Sequence, residues 1–335
     1  MNTWFLENLF NIMSRKIDIS HKTILFTTIF ILALWLLYLI RDLLIIIFVG
    51  IILMSALTPM VSLFVRFKIP KSLGIAITYI IIIAIVVGVL ISILPPLIEQ
   101  SSKLLVTLPP LTAQFFNITN IDRSVFQSEL TNFSRNIFSI TITVFDNFLT
   151  IIFTLVLTFY LLLERDNLEN RISALFVGRE ERIRNLIVHI QDKLGAWLRG
   201  QLLLSLIIGV LTYVGLTILN IPYALPLALI AGVLEIIPVI GPIISAVPAI
   251  LIALTISPIL SLGVAAMFFV IQQMENNLIV PQVMKRAVGL DPLIVILAIA
   301  IGSRLLGFSG ALLAVPFAVV LQIIAAELIE EKNNA

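Results

Sequence analysis

The sequence predicts an all-α integral membrane protein, a polytopic helical bundle of about eight transmembrane helices with one re-entrant hairpin. The chain has 335 residues, of which 60% are hydrophobic and only 12% are charged, whereas charged residues make up about 25% of soluble domains. Several apolar runs reach the roughly 20 residues that a helix needs to cross a bilayer. A membrane β-barrel would show short segments of alternating polarity instead, so we expect helices throughout.

The amino-terminal part contains a tail and three predicted transmembrane helices. Residues 1–22 are predicted to be a cytoplasmic tail of mixed polarity. The first apolar run ends in Arg41-Asp42 without a small-residue cleavage site, which favours a retained helix over a signal peptide. Within the segment 23–94, the three spans are predicted at Thr23–Ile40, Leu43–Val65 and Ser72–Leu94.

The middle of the chain alternates between polar and apolar segments. Residues 95–146 are rich in Asn, Ser and Thr, and are predicted to form an extracytoplasmic helical segment because they are too few to bury a separate core. Residues 147–163 are the fourth predicted transmembrane helix. Residues 164–199 carry charges of both signs with apolar residues at helical spacing, which indicates a cytoplasmic amphipathic helix. We expect it to lie on the membrane surface or to pack on a neighbouring subunit or span.

Residues 200–335 form the predicted carboxyl-terminal transport core. Asp291 precedes a proline and is expected to cap a helix start. The apolar elements of this core are the spans Leu202–Leu219 and Leu260–Val280, the broken stretch 225–254, and a final pair at Pro292–Gly302 and Ala311–Leu328.

Small residues predict close helix packing within this core. Ser205 with Gly209, and Ala228 with Gly232, have the small-xxx-small spacing. Such pairs let two helix backbones approach closely. The motif is common in membrane helices, so it predicts tight packing of the bundle and nothing more specific.

The broken stretch 225–254 contains a carboxylate and helix breakers within a sequence that is otherwise apolar enough to cross a membrane. Glu235 is followed by Pro238, Gly241 and Pro242, which make an unbroken helix unfavourable. Each half, about 12 residues or roughly 18 Å of helix, is shorter than the ~30 Å hydrocarbon core. We therefore predict a re-entrant hairpin that opens to the outer side, with Gly241-Pro242 near its tip and the prolines acting as a hinge.

Glu235 is the first candidate site residue. An ionisable group at membrane depth costs several kcal/mol and is functional by default, and many transporters place a binding site beside a broken helix. Glu235 is therefore predicted to bind a proton, a cation or a polar substrate. The structural alternative is a carboxyl that is protonated, or that is capped by backbone N–H groups at the helix break.

A polar cluster near the end of the span Leu260–Val280 is the second candidate. Neighbouring residues on a helix point in different directions, so several members must line a cavity or an interface, or mark the cytoplasmic end of the span. Arg304, between two apolar runs, is predicted either to snorkel at an outer turn or to pair with a buried glutamate. The cluster consists of Gln272, Gln273, Glu275, Asn276 and Asn277, with Pro281 shortly after it.

The distribution of basic residues predicts the orientation. With a cytoplasmic amino terminus, Arg66, Lys68 and Lys71, the segment 164–199 and Lys285-Arg286 all lie in the cytoplasm, as the positive-inside rule requires. The number of membrane crossings agrees with this orientation if the hairpin enters and leaves the bilayer by the outer side. The final helical pair then returns the carboxyl terminus to the cytoplasm.

Sequence patterns for catalysis and cofactor binding are absent or weak. There is no cysteine, no His-Glu-x-x-His and no Walker-type loop, so we expect no metal, no cofactor and no nucleic-acid partner. Gly307-Phe308-Ser309-Gly310 matches the Gly-x-Ser-Gly pattern of intramembrane serine proteases. That mechanism needs a base near the serine, and both histidines, His21 and His189, lie outside the late helices. An enzyme is not expected.

Several short motifs, in a fixed order, resemble one family of permeases. They are Leu198-Arg199-Gly200-Gln201, Asn220-Ile221-Pro222-Tyr223-Ala224, Glu235–Pro242, Gln273–Pro281, Gly289-Leu290-Asp291-Pro292, Gly307–Gly310 and Ala314-Val315-Pro316. Together they resemble the AI-2E (autoinducer-2 exporter) transporter family, also called PerM-like permeases. The resemblance covers nearly the whole chain. Asp291 departs from the family, which usually has a histidine before this proline.

The resemblance implies a multi-pass transporter of the bacterial inner membrane, with cytoplasmic termini and a homo-oligomeric assembly. Family members are linked to export of autoinducer-2, and some to sodium/proton exchange. The leading hypothesis is gradient-driven export of a small polar solute, similar to autoinducer-2, with Glu235 as the coupling carboxylate and the Gln272–Asn277 cluster as the opposite wall. The alternatives are a monovalent cation/proton antiporter that uses the same glutamate, and a non-transporting membrane scaffold.

Overall fold

A computed structural model describes residues 21–92, 95, 148–238, 240–284 and 289–334. The described residues are overwhelmingly helical and include no strand, which confirms the all-α prediction. The predicted tail 1–22 and the segment 95–146 lie almost wholly outside these ranges, as does Lys285-Arg286. The chain divides into two units, Met1–Phe48 and Val49–Ala335.

The helices carry the following names and bounds. They are α1 His21–Leu39, α2 Arg41–Arg66, α3 Lys71–Ser92, α4 Phe148–Ala174, α5 Glu180–Ile218, α6 Ala224–Leu234, α7 Ile240–Ile256, α8 Pro258–Met274, α9 Val280–Met284 and α10 Pro292–Asn334. A π-helix, Glu275–Ile279, joins α8 to α9.

The polytopic membrane character is confirmed by the helix lengths and compositions. In the part of the chain that the structure describes, six stretches are long and apolar enough to cross a membrane. They are α1, α2, α3, α5, Pro258–Met284 and Leu293–Ile329. The fourth predicted span, from residue 148 onward, lies within α4.

Helix α1 of the first unit presents apolar side chains on every face. It buries none of its residues, and Leu25, Phe26 and Trp35 are each exposed by 60% or more. A helix that is apolar all round belongs in a protein core or in hydrocarbon. The exposure of α1 therefore fits contact with lipid.

In the second unit, α3 is held on α4 by apolar and polar contacts. Tyr79 Oη donates to the carbonyl of Leu155 at 3.0 Å, and Lys71 Nζ donates to the carbonyl of Leu163 at 3.1 Å. Both acceptors lie on α4, so the two hydrogen bonds fix how the helices pair. Beside them, one apolar cluster buries Met54, Val61, Ile75 and Leu162.

Helix α5 is a single element of 39 residues, so residues 180–199 of the predicted amphipathic segment are continuous with the following span, whereas residues 164–174 of that segment belong to α4. It crosses α2 where Gly195 lies against the carbonyl of Ser55. Pro59 in α2 has no N–H, and it leaves the carbonyl of Ser55 without its helical donor. Arg199 Nη1 donates to that carbonyl at 3.2 Å, and so replaces the missing bond.

Helices α5 and α6 pack through the two predicted small-residue pairs. A Cβ added to Gly232 would lie 2.8 Å from the carbonyl oxygen of Ser205, and one added to Gly209 would lie 3.4 Å from that of Ala228. The first distance leaves no room for a side chain. The backbones therefore approach as closely as small-xxx-small spacing allows.

Helices α6 and α7 form the predicted helical hairpin. The turn lies at Glu235–Pro238, a few residues before the predicted tip, and Gly241-Pro242 lies in the first turn of α7. Gly241 is packed against the carbonyl of Leu234 too closely for any side chain. Helix α6 has 11 residues, or about 17 Å, which is roughly half of a ~30 Å hydrocarbon core. The hairpin, α5 and α8 share a core of Leu216, Leu227, Ala231, Ala249, Ala253 and Val264.

Helix α10 consists of two arms, as predicted for the final helical pair. The arms meet at Gly307, whose φ of 60° and ψ of −137° lie outside the helical region in backbone space that favours glycine. Gly302 and Gly310 lie on either side and face each other without room for side chains, so the chain reverses here. Asp291 Oδ1 accepts a hydrogen bond from Leu293 N at 2.8 Å, which confirms the predicted cap.

Candidate functional site

A cavity of about 600 Å³ lies within the second unit. Its walls come from α5, the α6–α7 turn, the stretch from the π-helix to α9, and α10. Its polar lining residues are Gln201, Glu235, Glu275 and Asn276, so the ionisable groups among the described lining residues are both carboxyls. The remaining wall is mostly apolar and includes Trp197, Leu204, Pro238, Val280, Pro281, Met284, Leu290, Val295, Ile296 and Val315.

Glu235 lies at the carboxyl end of α6, where the hairpin turns. Pro238 cannot continue the helix because it has no N–H to donate. The side-chain amide of Gln201, on α5, donates to the backbone carbonyl of Glu235 and so ties the turn to the neighbouring helix. Glu235 is only 1% exposed, which places its carboxyl in the wall of the cavity and away from bulk water.

Glu275 is the first residue of the π-helix that follows α8. A π-helical turn inserts one extra residue into the helix, and such turns are frequent at functional sites. Gln272 Nε2 donates to Glu275 Oε2 at 3.0 Å. Glu275 is 4% exposed, and its side chain and that of Glu235 line the same cavity.

The two carboxyls form a pair that needs a proton or a cation. Glu235 Oε2 is buried and has no hydrogen-bond donor among the described residues. No described backbone N–H therefore caps this oxygen, as the structural alternative would require. Ionised carboxylates only accept hydrogen bonds, so neither carboxyl can donate to the other unless one of them is protonated. Two adjacent negative charges would also repel each other strongly away from water.

The other predicted site residues fall into two groups. Pro238, Asn276 and Pro281 line the cavity, and Gln272 contacts Glu275 from outside the lining. By contrast, Gln273 and Asn277 lie on an exposed face, where Asn277 Nδ2 donates to the carbonyl of Gln273 at 2.9 Å.

Three further predicted site residues also lie outside the cavity lining. Gly241 and Pro242 are buried in the first turn of α7, where they shape the hairpin. Arg304 is exposed, three residues before the bend at Gly307. Among the described residues, no ion pair joins it to Glu235 or Glu275, and this position fits the outer-turn alternative.

Several residues that line the cavity were not selected by sequence reasoning. Among them, Gln201, Trp197 and Met284 face it from α5 and α9. Gln201 belongs to the Leu198–Gln201 motif, and a polar residue entering an apolar run is the signal that could have selected it. Trp197 and Met284 have no such signal, because apolar residues in a membrane helix are common everywhere.

A protein-family model described as AI-2E family transporter matches residues 24–330 of this chain. The match includes both carboxyls, all four walls of the cavity and the two helical hairpins. It also covers the predicted extracytoplasmic segment.

Curated relatives share the similarity over different lengths. The chain is 39% identical over 145 residues to YrrI of Bacillus subtilis (strain 168), a protein that its name assigns to transport only provisionally, across 43% of this chain and 41% of that protein. It is 27% identical over 282 residues to AI-2 transport protein TqsA of Escherichia coli (strain K12), across 80% of each. It is 28% identical over 160 residues to a sodium-lithium/proton antiporter of Halobacillus andaensis, across 48% of this chain and 46% of that protein.

Proposed function

Because this chain belongs to the AI-2E family of transporters, we propose that it is a secondary transporter that exports a small polar solute at the expense of a proton gradient. The observation that carries the proposal is the buried pair Glu235–Glu275 in the wall of a cavity large enough for an organic molecule. A solute similar to autoinducer-2 is the first candidate, since TqsA is named for autoinducer-2 transport. Family membership alone does not identify the substrate, because one fold can carry different binding sites and the site selects the ligand.

The pair supplies the coupling. One carboxyl carries a proton when no solute is bound, because two negative charges in the same buried wall would repel each other. A solute that donates hydrogen bonds to the same oxygens competes with that proton for the pair. Proton and solute then occupy the site in turn, and a gradient of one drives movement of the other.

Both carboxyls lie where the helical hydrogen-bond ladder is interrupted. Glu235 is followed by the turn at Pro238, and Glu275 begins a π-helix that runs towards Pro281. Interrupted helices bend at such points. The cavity walls therefore have hinges next to the groups that bind the proton, which fits a change of access linked to its binding.

The first experiment measures proton-coupled transport of a labelled polar solute, such as autoinducer-2, in proteoliposomes. We expect Glu235→Gln and Glu275→Gln to reduce it by at least about tenfold, because a glutamine cannot exchange a proton. The matched control is Glu181→Gln, which removes an exposed carboxyl at the start of α5 and should leave transport unchanged. Unchanged transport in correctly folded Glu235→Gln would contradict the proposal and favour the scaffold alternative.

Monovalent cation/proton antiport is the second candidate. Two carboxyls without a basic partner among the described lining residues suit a monovalent cation, and one relative is named as a sodium-lithium/proton antiporter. In the same vesicles, proton release on addition of Na⁺ or Li⁺, without any organic solute, would favour it. Proton flux that needs the organic solute would favour export.

The membrane arrangement belongs to the proposal as well. We place the chain in the bacterial inner membrane, with both termini in the cytoplasm, from the positive-inside distribution of its basic residues. We also propose a homo-oligomer. The hairpin α6–α7 is then re-entrant from the outer side, because α6 alone is too short to cross the bilayer.

A further inference from the structure

The cavity contains a buried acceptor that the described residues leave unsatisfied. Glu235 Oε2 has no donor among them, and Glu235 as a whole is 1% exposed. A buried polar atom without a partner is rare in a folded protein. Glu275 already accepts a hydrogen bond from Gln272. The two carboxyls therefore have more acceptor oxygens than the described residues have donors for them.

The rest of the wall is apolar and includes an indole. Trp197, Leu204 and Met284 line the cavity together with side chains from α10. Apart from the indole N–H of Trp197, these side chains offer no strong hydrogen-bonding group, so a ligand with many hydroxyl groups would lose most of its bonds to water on entry. It suits a hydrocarbon body, and tryptophan is the aromatic residue that attracts cations most strongly.

We propose that the cavity selects an organic ammonium ion, whose N–H groups donate to the Glu235–Glu275 pair and whose hydrocarbon part packs on the apolar wall. This inference rests on the proposed function and deepens it: at the same site it puts an organic ammonium ion in place of a solute similar to autoinducer-2 as the substrate class. The ammonium group supplies the donor that Glu235 Oε2 lacks. It also supplies the positive charge that two buried carboxylates need.

Binding is then an exchange of one cation for another. The empty pair holds one proton and a net charge of −1, and it releases that proton when the ammonium enters. The occupied site holds two carboxylates and one ammonium, so its net charge is again −1. No other reactant takes part, and the charge balance makes the proton and the ligand mutually exclusive occupants.

Other ligand classes fit these walls less well. A carboxylate or phosphate ligand would meet two acidic groups and no described cation in the lining. A bare alkali ion would fill little of about 600 Å³, and hard cations prefer several oxygen ligands rather than a largely apolar wall. A neutral alcohol can donate one hydrogen bond, but it brings no charge to the pair.

The test compares three probes of matched shape on the purified full-length protein. They are 4-phenylbutylammonium, 4-phenylbutanol and 4-phenylbutyrate, which differ only in a cationic, neutral or anionic head. Calorimetry gives their affinities, and a pH dye in weakly buffered solution gives the protons released. We expect the ammonium to bind at least about tenfold more tightly than the alcohol, with release of up to about one proton per bound ligand.

The variants connect this binding to the pair. Glu235→Gln and Glu275→Gln should each lose both the preference for the ammonium and the proton release, whereas Glu181→Gln should keep both. Preserved thermal unfolding and monodispersity show that a variant is folded. If either glutamine variant fails to fold, the comparison of the three probes on the unaltered protein still decides the inference.

Two outcomes overturn the inference. One is equal or weaker binding of the ammonium relative to the alcohol or the butyrate, including no binding of any probe. The other is ammonium binding without proton release. In both cases, proton-coupled transport in proteoliposomes that depends on Glu235 would leave the proposed function standing. Transport that does not depend on Glu235 would contradict the proposed function itself.

Discussion

Gln201 shows how one buried side chain positions the candidate site. It is 1% exposed in an apolar helix, and its amide donates to the backbone carbonyl of Glu235. That carbonyl lies at a helix end, where intrahelical donors run out. The bond therefore stabilises the hairpin turn and fixes the backbone that carries the Glu235 carboxyl.

We expect Gln201→Met, which keeps the shape of the side chain but removes the donor, to lower stability by about 1–3 kcal/mol. Thermal unfolding in detergent measures the change. Transport should fall as well, because the turn that holds Glu235 loses its tie to α5. The control Gln322→Met makes the same change at an exposed position of α10 and should have little effect. Equal effects of the two variants would contradict the role of Gln201.

At the scale of the helices, close packing depends on a few glycines. Gly232 on α6 lies against the carbonyl of Ser205 on α5, and Gly241 on α7 lies against that of Leu234 on α6. Both contacts bring the hairpin that carries Glu235 into register with its neighbours. Membrane helices associate largely through such packing, since lipid tails offer an equally apolar surrounding.

The Gly232→Ala variant tests this packing. Its Cβ would lie 2.8 Å from the carbonyl oxygen of Ser205, and overpacking of this kind costs about 1–3 kcal/mol. The control Gly88→Ala lies in α3, with no described atom within 4 Å of the added Cβ. It should be neutral or gain up to about 1 kcal/mol from helix propensity. A Gly232→Ala protein that melts at or above the temperature of Gly88→Ala would contradict the close α5–α6 contact.

At the scale of the whole second unit, α5 and α10 are joined at two places. Both supply walls of the cavity, α5 with Trp197 and α10 with Val315. Far from the cavity, Arg182 near the start of α5 forms an ion pair with Glu327 near the end of α10, and also donates to the carbonyl of Glu327. This second junction fixes the arm of α10 that continues from the cavity wall.

A charge exchange tests whether that junction matters. We expect Arg182→Glu and Glu327→Arg to lower stability singly, and the double variant to recover part of the loss, because it restores the ion pair but not the bond to the carbonyl. Half-exposed pairs contribute only about 0.2–1 kcal/mol, so a double-mutant cycle of thermal unfolding is the appropriate measurement. A coupling energy of zero would show that the pair does not hold the two helices together.

Much of the fold follows from local sequence. The apolar runs, Pro238, Gly241 and the capping residue Asp291 each act over a few residues, so the spans, both hairpins and the start of α10 could be predicted. The boundary between the amphipathic segment and the next span could not, since no helix breaker separates them and α5 runs through. The π-helix had no local signal of its own.

The sequence alone determined that this protein is a helical membrane bundle with one carboxylate, Glu235, in an apolar run and another, Glu275, in a polar cluster, because hydrophobicity and helix breaking are properties of short segments. Only the tertiary structure brought Glu235 and Glu275 to one cavity, added Gln201 as the support of the turn and left Arg304 exposed. These relations depend on where the α6–α7 hairpin crosses α5 and the π-helix. Helix crossings are set by packing between residues distant in the chain, and a pattern within one segment does not contain them.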